Sequence, residues 1–442
     1  MGTECRVLST EYSLIPALPL PFSPSLPYPA VMRAEVIAIG DELTTGQRLD
    51  TNTQWLSQRL TELGVQVAFH TTITDELDDN VAAFRAAVNR VDIVVATGGL
   101  GPTADDLTRD AIAAAIGTKL VRDEASLAHI ENLFASRGRE MPERNQVQAD
   151  FPDGSTPIHN PNGTAPGIEM QIARAEGSTC MLFALPGVPA EMHEMWQASV
   201  AARIRELQPE PRVTRHRSIK CFGVGESQLE AMLPDLIRRD REPRVGITAS
   251  DATITLRITA TGRYEQACQA AMEPTVATIY ELLGTLVYGE EEDELQHTVW
   301  RLLEQQGLTL AVADWATEGL VSQWLQETGG DSGVLKSGVT ISDRQQLTEL
   351  TADMEDHSAE TAIVMAEMVR TTTSANIGLA IAALPPDVNT SSAHVCAALA
   401  MPEGMHKLRF PCAAHPAIIK SRTAKQALNA LRLVLLKTPV ET

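Results

Sequence analysis

A glycine-rich stretch at 97–108, TGGLGPTADDLT, has the residue types of an anion-binding loop. Its three glycines, Gly98, Gly99 and Gly101, allow positive φ and let a ligand approach bare backbone N–H groups. Pro102 then fixes the exit of the chain from the turn. Because such a loop leads into the N-terminus of a helix, the stretch predicts a phosphate site. It is neither a Walker A loop nor a dinucleotide fingerprint, since it lacks Gly-Lys-Ser/Thr and the GxGxxG spacing.

Carboxylates recur in the loops that follow predicted strands or open predicted helices. They are Asp41, Glu42, Asp50, Asp75, Asp105 and Asp106. Any one of them alone is more often a solvated loop acid or a helix cap. Together they matter more, because the carboxyl ends of parallel strands meet at one edge of a sheet. Hard oxygen ligands are what Mg²⁺ takes, so the set predicts metal-assisted phosphate chemistry.

Alternating strand and helix patterns position these loops. The β-branched run at 91–96 predicts a strand that is buried on both faces. Two earlier strands are predicted at 34–39 and 65–70, and each of the three is followed by a helix with an apolar stripe. The order βαβαβα is typical of an α/β fold with a parallel sheet.

Polar residues and glycine mark where the helices begin and end. Asp50 or Thr51 is predicted to cap the first long helix. Asp105 or Asp106 is predicted to cap the helix that follows the glycine-rich loop, and Gly117 suits the residue just after that helix.

Length and composition restrict the class of protein. At 442 residues the chain is long enough for about three domains. No apolar run reaches the 18 residues that a membrane-spanning helix needs, so we expect no membrane partner. The net charge of −21 argues against attraction to nucleic acid. Six cysteines without CxxC spacing indicate reduced thiols, and therefore the cytoplasm, rather than disulfides or a zinc site.

Residues 1–32 are predicted to be a flexible N-terminal extension. The segment is rich in proline, and it lacks the basic n-region of a signal peptide. Met32 immediately precedes the first predicted strand, which makes it a candidate start of translation.

Residues 212–290 read as a separate small domain with the order βαββα. Its clearest signal is a hairpin strand in which Thr255, Arg257 and Thr259 alternate with apolar residues, so that one face is buried. The segment 211–263 carries ten Arg and Lys against six Asp and Glu. A nucleic-acid role is still not expected, because the Gly223 turn lies between a strand and a helix, whereas a KH phosphate clamp lies between two helices.

Five motifs carry a family resemblance that covers 33–205. They are AIGDEL, GQRLDTN, TGGLGPTADDLTRD, NPNGTAPG and LPGVPAEM. Their order and spacing resemble the CinA family (competence/damage-inducible protein A), whose N-terminal domain is of the molybdopterin-binding MoaB/MogA type. The resemblance implies a three-layer α/β domain at 33–205, a KH-type middle domain at 212–290 and an amidohydrolase-type α/β domain at 291–442.

The resemblance also implies an activity. For CinA proteins it is metal-dependent ADP-ribose pyrophosphatase activity, with Mg²⁺ or Co²⁺ as the divalent ion and K⁺ as a further candidate. In related enzymes of this fold, the aspartates that match Asp75 and Asp106 are implicated in catalysis. We expect Asp41 and Asp106 to hold the metal and Asp75 to position water.

The matched motifs define a wider ligand-binding set. Its members lie in the loops around the predicted sheet edge: Gly40, Asp50, Asn52, Thr97, Gly98, Gly99, Gly101, Pro102, Thr108, Asn162, Gly163, Thr164, Pro186 and Gly187. The expected ligand is a small nucleotide or pterin, and the expected assembly is a homodimer. Two alternatives remain open, namely a pterin-binding protein without hydrolysis and a scaffold without catalysis.

The C-terminal domain departs from its family at the catalytic motif. Where the nicotinamide-nucleotide amidohydrolases have Ser-Cys-Thr-Gly-Gly, this chain has WATEG at 315–319. Trp315 replaces the nucleophilic serine, and only Thr317 remains of the reacting cluster. The family's GVVAYS and GIAGPGG also become GVTIS at 338–342 and AIAALPP at 380–386. We therefore expect the nicotinamide mononucleotide deamidase activity to be lost.

Overall fold

A computed structural model gives the fold. It describes residues 31–437 except 209, 211, 239, 331, 344–346, 348–353, 387, 389, 391, 392, 413 and 414. The predicted extension therefore lies almost wholly outside the described residues. The described residues divide into two compact units, one formed by 31–60 and 65–199 and the other by 61–64 and 200–437.

The N-terminal domain is built on a six-stranded mixed sheet with the order β2-β1-β3-β8-β7-β6. Its strands are β1 Arg33–Ile39, β2 Gln66–Ile73, β3 Ile93–Thr97, β4 Leu120–Arg122, β5 Asp150–Pro152, β6 Thr156–Ile158, β7 Gly167–Ala173 and β8 Thr179–Leu185. Its helices are α1 Asp41–Thr44, α2 Thr51–Glu62, α3 Leu77–Arg90, α4 Thr108–Ile116, α5 Glu124–Ser136, α6 Pro189–Met195 and α7 Ala201–Leu207. Strands β4 and β5 form a separate two-stranded sheet.

Apolar residues cover both faces of the large sheet. Ile37 and Ile39 of β1 join a buried cluster with Phe84 of α3. Val36 and Ala38 alternate with them on the other face and are also fully buried. This confirms the three-layer α/β architecture that the sequence predicts.

Four neighbouring strands of this sheet run parallel. β1 pairs with β2 on one side and with β3 on the other, and β3 pairs with β8. Their carboxyl ends therefore meet at one edge, which is where open α/β sheets bind ligands. The loops that leave this edge carry the predicted site.

The helix ends confirm part of the predicted capping. Asp50 accepts the N–H of Thr53 at 2.9 Å, and Gly117 adopts the left-handed conformation after α4. The prediction that Asp105 or Asp106 caps α4 is wrong. Leu107 occupies the capping position without a side-chain bond, because the carboxylate of Asp106 turns back to Thr103.

The middle domain has the predicted order, followed by one further strand. Its elements are β9 Val213–Cys221, α8 Glu226–Met232, β10 Arg244–Ser250, β11 Thr253–Gly262, α9 Glu265–Leu283 and β12 Val287–Glu290. The strands form an antiparallel sheet with the order β10-β11-β9-β12. The hairpin alternation is confirmed, because Ile254, Leu256 and Ile258 are buried in one cluster with residues of α9.

The C-terminal domain is a five-stranded mixed sheet with the order β14-β13-β15-β16-β17. Its elements are α10 Leu295–Gln306, β13 Leu310–Asp314, α11 Leu320–Gly329, β14 Leu335–Thr340, α12 Ala359–Thr373, β15 Ile377–Ile381, β16 His394–Met401, β17 Gly404–Pro411 and α13 Ile419–Leu435. The parallel pairs of β13 with β14 and β15 bring Asp314 to the carboxyl edge of the sheet.

Helix α13 also contacts the middle domain through two buried cations. Lys425 donates to the backbone carbonyl of Asp251 at 2.9 Å and to the hydroxyl of Thr253 at 3.0 Å. Arg432 donates to the carbonyls of Val287 and Thr285 at 2.9 and 2.5 Å. The two domains of this unit are therefore joined by satisfied polar bonds as well as by apolar packing.

Two further observations bear on the environment of the protein. Among the described helices, none is long and apolar enough to cross a membrane. The five described cysteines, Cys180, Cys221, Cys268, Cys396 and Cys412, are free thiols, and all five are buried.

Candidate functional site

Asp41 and Asp75 stand side by side at the carboxyl ends of β1 and β2. The backbone N–H of Asp41 donates to Asp75 Oδ2 at 2.9 Å, and the N–H of Asp75 donates to Asp41 Oδ1 at 3.2 Å. The N–H of Gly40 donates to the carbonyl of Ile73 at 3.0 Å, which holds the two loops together. The structure thus brings together two of the predicted carboxylates.

The surroundings of Asp75 disfavour its charged form. Partial burial raises the pKa of Asp75, and the hydrogen bond from the Asp41 backbone opposes this rise. The carboxylates of Asp41, Asp105 and Glu42 raise the pKa further. A cation would relieve this repulsion, and a raised pKa makes the carboxylate a stronger proton acceptor than an ordinary aspartate.

The glycine-rich loop leaves β3 beside this pair. Gly98 and Gly99 have φ of 107° and 65°. A Cβ on Gly98 would lie 2.4 Å from the carbonyl oxygen of Ile39, and one on Gly99 would lie 2.3 Å from Thr108 Oγ1. Glycine is therefore required at both positions by backbone conformation and by space.

The N–H groups of this loop are only partly available to a ligand. Gly98 donates its N–H to the carbonyl of Leu185 at 3.1 Å, which removes it from the predicted set of donors. The N–H groups of Gly99, Leu100 and Gly101 have no hydrogen-bond acceptor among the described residues. Three successive donors of this kind make a candidate anion cradle.

Thr108 and Arg109 donate hydrogen bonds to carbonyls of the glycine-rich loop. Thr108 Oγ1 donates to the carbonyl of Gly98 at 2.9 Å. The guanidinium of Arg109 is buried and donates to the carbonyls of Leu100 and Gly101 at 2.8 and 2.6 Å. Arg109 was missed from the sequence, where its place just inside a helix gives no sign of burial.

Asp106 takes part in the loop itself. Its Oδ2 accepts the backbone N–H of Thr103 at 2.9 Å and the hydroxyl of Thr103 at 2.5 Å. A Cβ on Gly101 would lie 2.3 Å from the same oxygen, so the carboxylate packs against the glycine beside Pro102. Asp106 is therefore at the loop, where it shapes the turn, while Asp75 bonds directly to Asp41.

Asn52 links three of the predicted segments. Its Nδ2 donates to Thr97 Oγ1 at 3.1 Å and to the carbonyl of Gly187 at 2.9 Å. Thr97 Oγ1 in turn donates to the carbonyl of Pro186 at 3.1 Å. The start of α2, the end of β3 and the loop after β8 are fastened together at the sheet edge. Asp50 serves as the cap of α2.

The NPNGT loop is held by a different set of contacts. Asn160 is buried, and its Oδ1 accepts the N–H groups of Asn162 and Gly163 at 3.2 and 2.9 Å. Asn160 Nδ2 donates to Glu191 of α6 at 2.7 Å, and Asn162 donates to Glu194 of the same helix. Asn162, Gly163 and the half-buried Thr164 are thus placed against α6. Asn160 was missed, although it opens the matched motif.

Carboxylate oxygens that accept no hydrogen bond are candidate ligands of a metal ion. Asp41 and Asp75 each use one oxygen to accept a backbone N–H, and their other oxygens have no donor among the described residues. Two carboxylates with phosphate oxygens from a ligand suit Mg²⁺. The described residues contain no group of three or more His, Cys, Asp or Glu that could hold a metal. The residues therefore fit an ion that is completed by its ligand.

In the C-terminal domain, the turn after β13 is held by Asp314. Asp314 is fully buried and accepts the N–H and the hydroxyl of Thr317 and the N–H of Gly319. Trp315 packs on the apolar cluster of α12 and β15. Glu318 has φ of 57° at a position where the family has glycine.

Three family profiles match successive parts of the chain. "Probable molybdopterin binding domain" matches 35–206, "Damage-inducible protein CinA KH domain" matches 216–289 and "CinA C-terminal domain" matches 292–435. A CinA-like protein from Frankia casuarinae is 38% identical over 364 residues, which are 79% of this chain and 83% of the relative. A competence-damage inducible protein from Acetivibrio thermocellus is 34% identical over 417 residues, which are 92% and 99% of the two chains.

A solved structure is similar to the N-terminal part. It is the crystal structure of "the protein CinA with unknown function" from Thermoplasma acidophilum, with 36% identity, a TM-score of 0.35, and coverage of 39% of this chain and 98% of the other. The sheet, its glycine-rich loop and the matched profiles define a multidomain α/β protein with an N-terminal domain of the molybdopterin-binding type. The chain belongs to the CinA family of competence/damage-inducible proteins.

Proposed function

We propose that the N-terminal domain binds a nucleoside diphosphate such as ADP-ribose and hydrolyses it with a divalent metal. One observation carries the proposal. The N–H groups of Gly99–Gly101, which have no acceptor among the described residues, lie in the loop after β3. The Asp41–Asp75 pair lies beside them at the carboxyl end of the neighbouring parallel strand β1. An anion cradle beside paired carboxylates is what a diphosphate and its metal require.

Each group has a defined task in this reaction. The N–H groups of Gly99, Leu100 and Gly101 donate to oxygens of the diphosphate and keep it in place. Asp41 and Asp106 are the carboxylates that would hold Mg²⁺ or Co²⁺. The bound ion would polarise a phosphoryl oxygen and offset the negative charge of the transition state.

Asp75 is the residue that handles the proton. Its free oxygen accepts a proton from the attacking water, for which a raised pKa is suited. The water oxygen bonds to one phosphorus, the bridging P–O bond breaks, and ADP-ribose yields AMP and ribose 5-phosphate. Arg109 acts only by holding the loop carbonyls away from the ligand.

Pterin binding without hydrolysis is the second candidate. The profile that matches 35–206 is described as a probable molybdopterin binding domain, which favours a pterin. The same N–H cradle would hold the phosphate of such a ligand. The proposed C-terminal state is the same in both cases, namely a domain without amidohydrolase activity, in which Trp315 stands at the position of the serine.

Thermal shift and hydrolysis assays separate the candidates. The full chain is incubated with ADP-ribose, with a phosphorylated pterin and with neither, each with Mg²⁺, Co²⁺, K⁺ or EDTA. Binding to the folded state raises the Tm. We expect ADP-ribose to raise the Tm and to yield AMP only with a divalent ion. A Tm rise with the pterin alone, or product formation in EDTA, would contradict the proposal.

A further inference from the structure

A small cleft lies between the first turns of α2 and α6. It has a volume of about 280 Å³ and is lined by Thr51, Asn52, Gln54, Trp55, Gln58, Pro189 and His193. This volume is small for a whole ligand, since pockets for drug-sized molecules occupy roughly 300 to 1,000 Å³. The cleft is therefore suited to one ring system of a larger ligand.

One wall of the cleft is aromatic. The rings of Trp55 and His193 are stacked with their centroids 4.0 Å apart and an angle of 21° between their planes. Trp196 meets Trp55 edge-on at 6.0 Å and is buried. The stacked ring of Trp55, itself in contact with the buried Trp196, therefore restricts the orientation of the His193 ring. Burial, followed by the charge of Arg59, lowers the pKa of His193, which disfavours the protonated form of its ring.

The cleft adjoins the diphosphate site through Asn52. This residue lines the cleft, and its side-chain amide also donates to Thr97 Oγ1 and to the carbonyl of Gly187. Gly187 lies next to Gly98, since a Cβ on Gly187 would be 3.5 Å from the Gly98 Cα. Asn52 and Gly187 therefore connect the cleft with the start of the glycine-rich loop.

We propose that this cleft is the stacking site for the planar heteroaromatic ring of the ligand whose diphosphate the loop holds. The proposal rests on the proposed function, and it adds the side chains that would select the ligand by its ring. The ring lies against His193, which is backed by Trp55. Gln54 and Gln58 are exposed at the cleft and offer amide donors and acceptors to the ring edge. A nucleobase and a pterin share this chemistry.

Binding measurements on the full chain with Mg²⁺ test the stacking site. The probes are ADP, which has a ring and a diphosphate, inorganic pyrophosphate, which has only the latter, and neopterin, which has only a ring. The variants are His193→Ala, which removes the stacking surface, and His193→Phe, which retains one. We expect His193→Ala to weaken ADP binding about tenfold or more, since a base stacked on an aromatic side chain contributes that much.

Pyrophosphate and the His193→Phe variant serve as the controls. Pyrophosphate binding should be the same in all three proteins, and His193→Phe should bind ADP within about threefold of the wild type, because base stacking does not depend on the identity of the aromatic ring. Stronger binding of neopterin than of ADP to the wild type would identify the ring as a pterin. Equal affinity of the wild type for ADP and pyrophosphate, or unchanged ADP binding by His193→Ala, would overturn the stacking site but not the diphosphate site. Failure of the wild type to bind either phosphate probe would overturn the proposed function itself.

Discussion

Asp41 and Asp75 each donate a backbone N–H to the carboxylate of the other, at 2.9 and 3.2 Å. This reciprocal pair ties the carboxyl ends of β1 and β2 together and fixes two like charges next to each other. The backbone bonds partly offset the repulsion, but the pKa of Asp75 is still raised, chiefly by burial. A raised carboxylate pKa means that the charged form destabilises the fold.

The first prediction concerns Asp75→Asn. The neutral amide keeps the acceptor for the Asp41 N–H and removes the charge, so the metal-free variant should have a Tm at pH 7 equal to or above that of the wild type. The folded-state pKa lies above the unfolded-state value, so wild-type stability falls as pH rises through the folded-state pKa. The advantage of the variant should therefore disappear below about pH 3.8, which is near the unfolded-state value.

Hydrolysis should respond in the opposite direction. Asp75→Asn should lower the rate of ADP-ribose cleavage by about 100-fold or more, because the amide cannot accept the proton. Asp78→Asn, an exposed acid in the first turn of α3, is the control and should leave the rate unchanged, while the loss of its interaction with the helix dipole should lower the Tm only slightly. A lower Tm for Asp75→Asn at pH 7 would show that its carboxylate stabilises the loop.

The second prediction separates two roles of Asp106. If its carboxylate acts on the ligand or metal, Asp106→Asn should lower kcat/KM by about 100-fold. Thr103→Val removes the hydroxyl that donates to Asp106 but keeps the carboxylate and the backbone donor. We expect this variant to retain activity within a few fold. Equal losses in the two variants would mean that Asp106 only shapes the turn.

The third prediction concerns the buried Arg109. Arg109→Leu removes the donor of the Gly101 carbonyl and leaves the Leu100 carbonyl with only the longer bond from Gln148 Nε2 at 3.4 Å. Each buried unsatisfied group costs about 1 to 3 kcal/mol. Calorimetry should therefore give a Tm lower by several degrees, and pyrophosphate binding should weaken as the loop relaxes. Arg85→Leu, an exposed change on α3, should alter stability by no more than about 0.5 kcal/mol. An unchanged affinity for pyrophosphate in Arg109→Leu would contradict the role of Arg109 in the loop.

Local sequence patterns predict much of the fold. The features that they do not predict depend on contacts between residues that are distant in sequence. The strand predicted at 91–96 and the cap at Asp50 follow from side-chain periodicity and capping chemistry, and both are present. The hydrogen bond from the Gly98 N–H to the Leu185 carbonyl depends on the pairing of β3 with β8. It could not be inferred from the sequence of the glycine-rich loop. Arg109 is likewise explained only by carbonyls that the folded loop brings to it.

The fourth prediction concerns the contact between α13 and the middle domain. Lys425→Met removes a buried ammonium group that bonds to Asp251 and Thr253. The loss leaves the buried hydroxyl of Thr253 and the carbonyl of Asp251 without this donor and removes the ion pair with the Asp251 carboxylate. We therefore expect the free energy of unfolding of this unit to fall by about 2 kcal/mol. Lys420→Met on the same helix removes an exposed ion pair with Glu318 and should cost at most about 1 kcal/mol. Equal Tm values for the two variants would contradict this difference.

The fifth prediction is that the full chain does not release ammonia from nicotinamide mononucleotide. Trp315 has no nucleophilic atom, and its ring packs on the core cluster of the domain. The neighbouring Thr317 donates its hydroxyl to the buried Asp314. Burial raises the pKa of Asp314, which makes this carboxyl a hydrogen-bond anchor for the turn.

The assay compares the wild type, Thr317→Ala and a CinA relative with the intact Ser-Cys-Thr-Gly-Gly motif. Loss of a nucleophile lowers turnover by several orders of magnitude, so only the relative should release ammonia at a measurable rate. Thr317→Ala should not change the background rate, although it should lower the Tm because Asp314 loses a donor. Ammonia release by the wild type at a rate near that of the relative, abolished in Thr317→Ala, would show that Thr317 serves as the nucleophile.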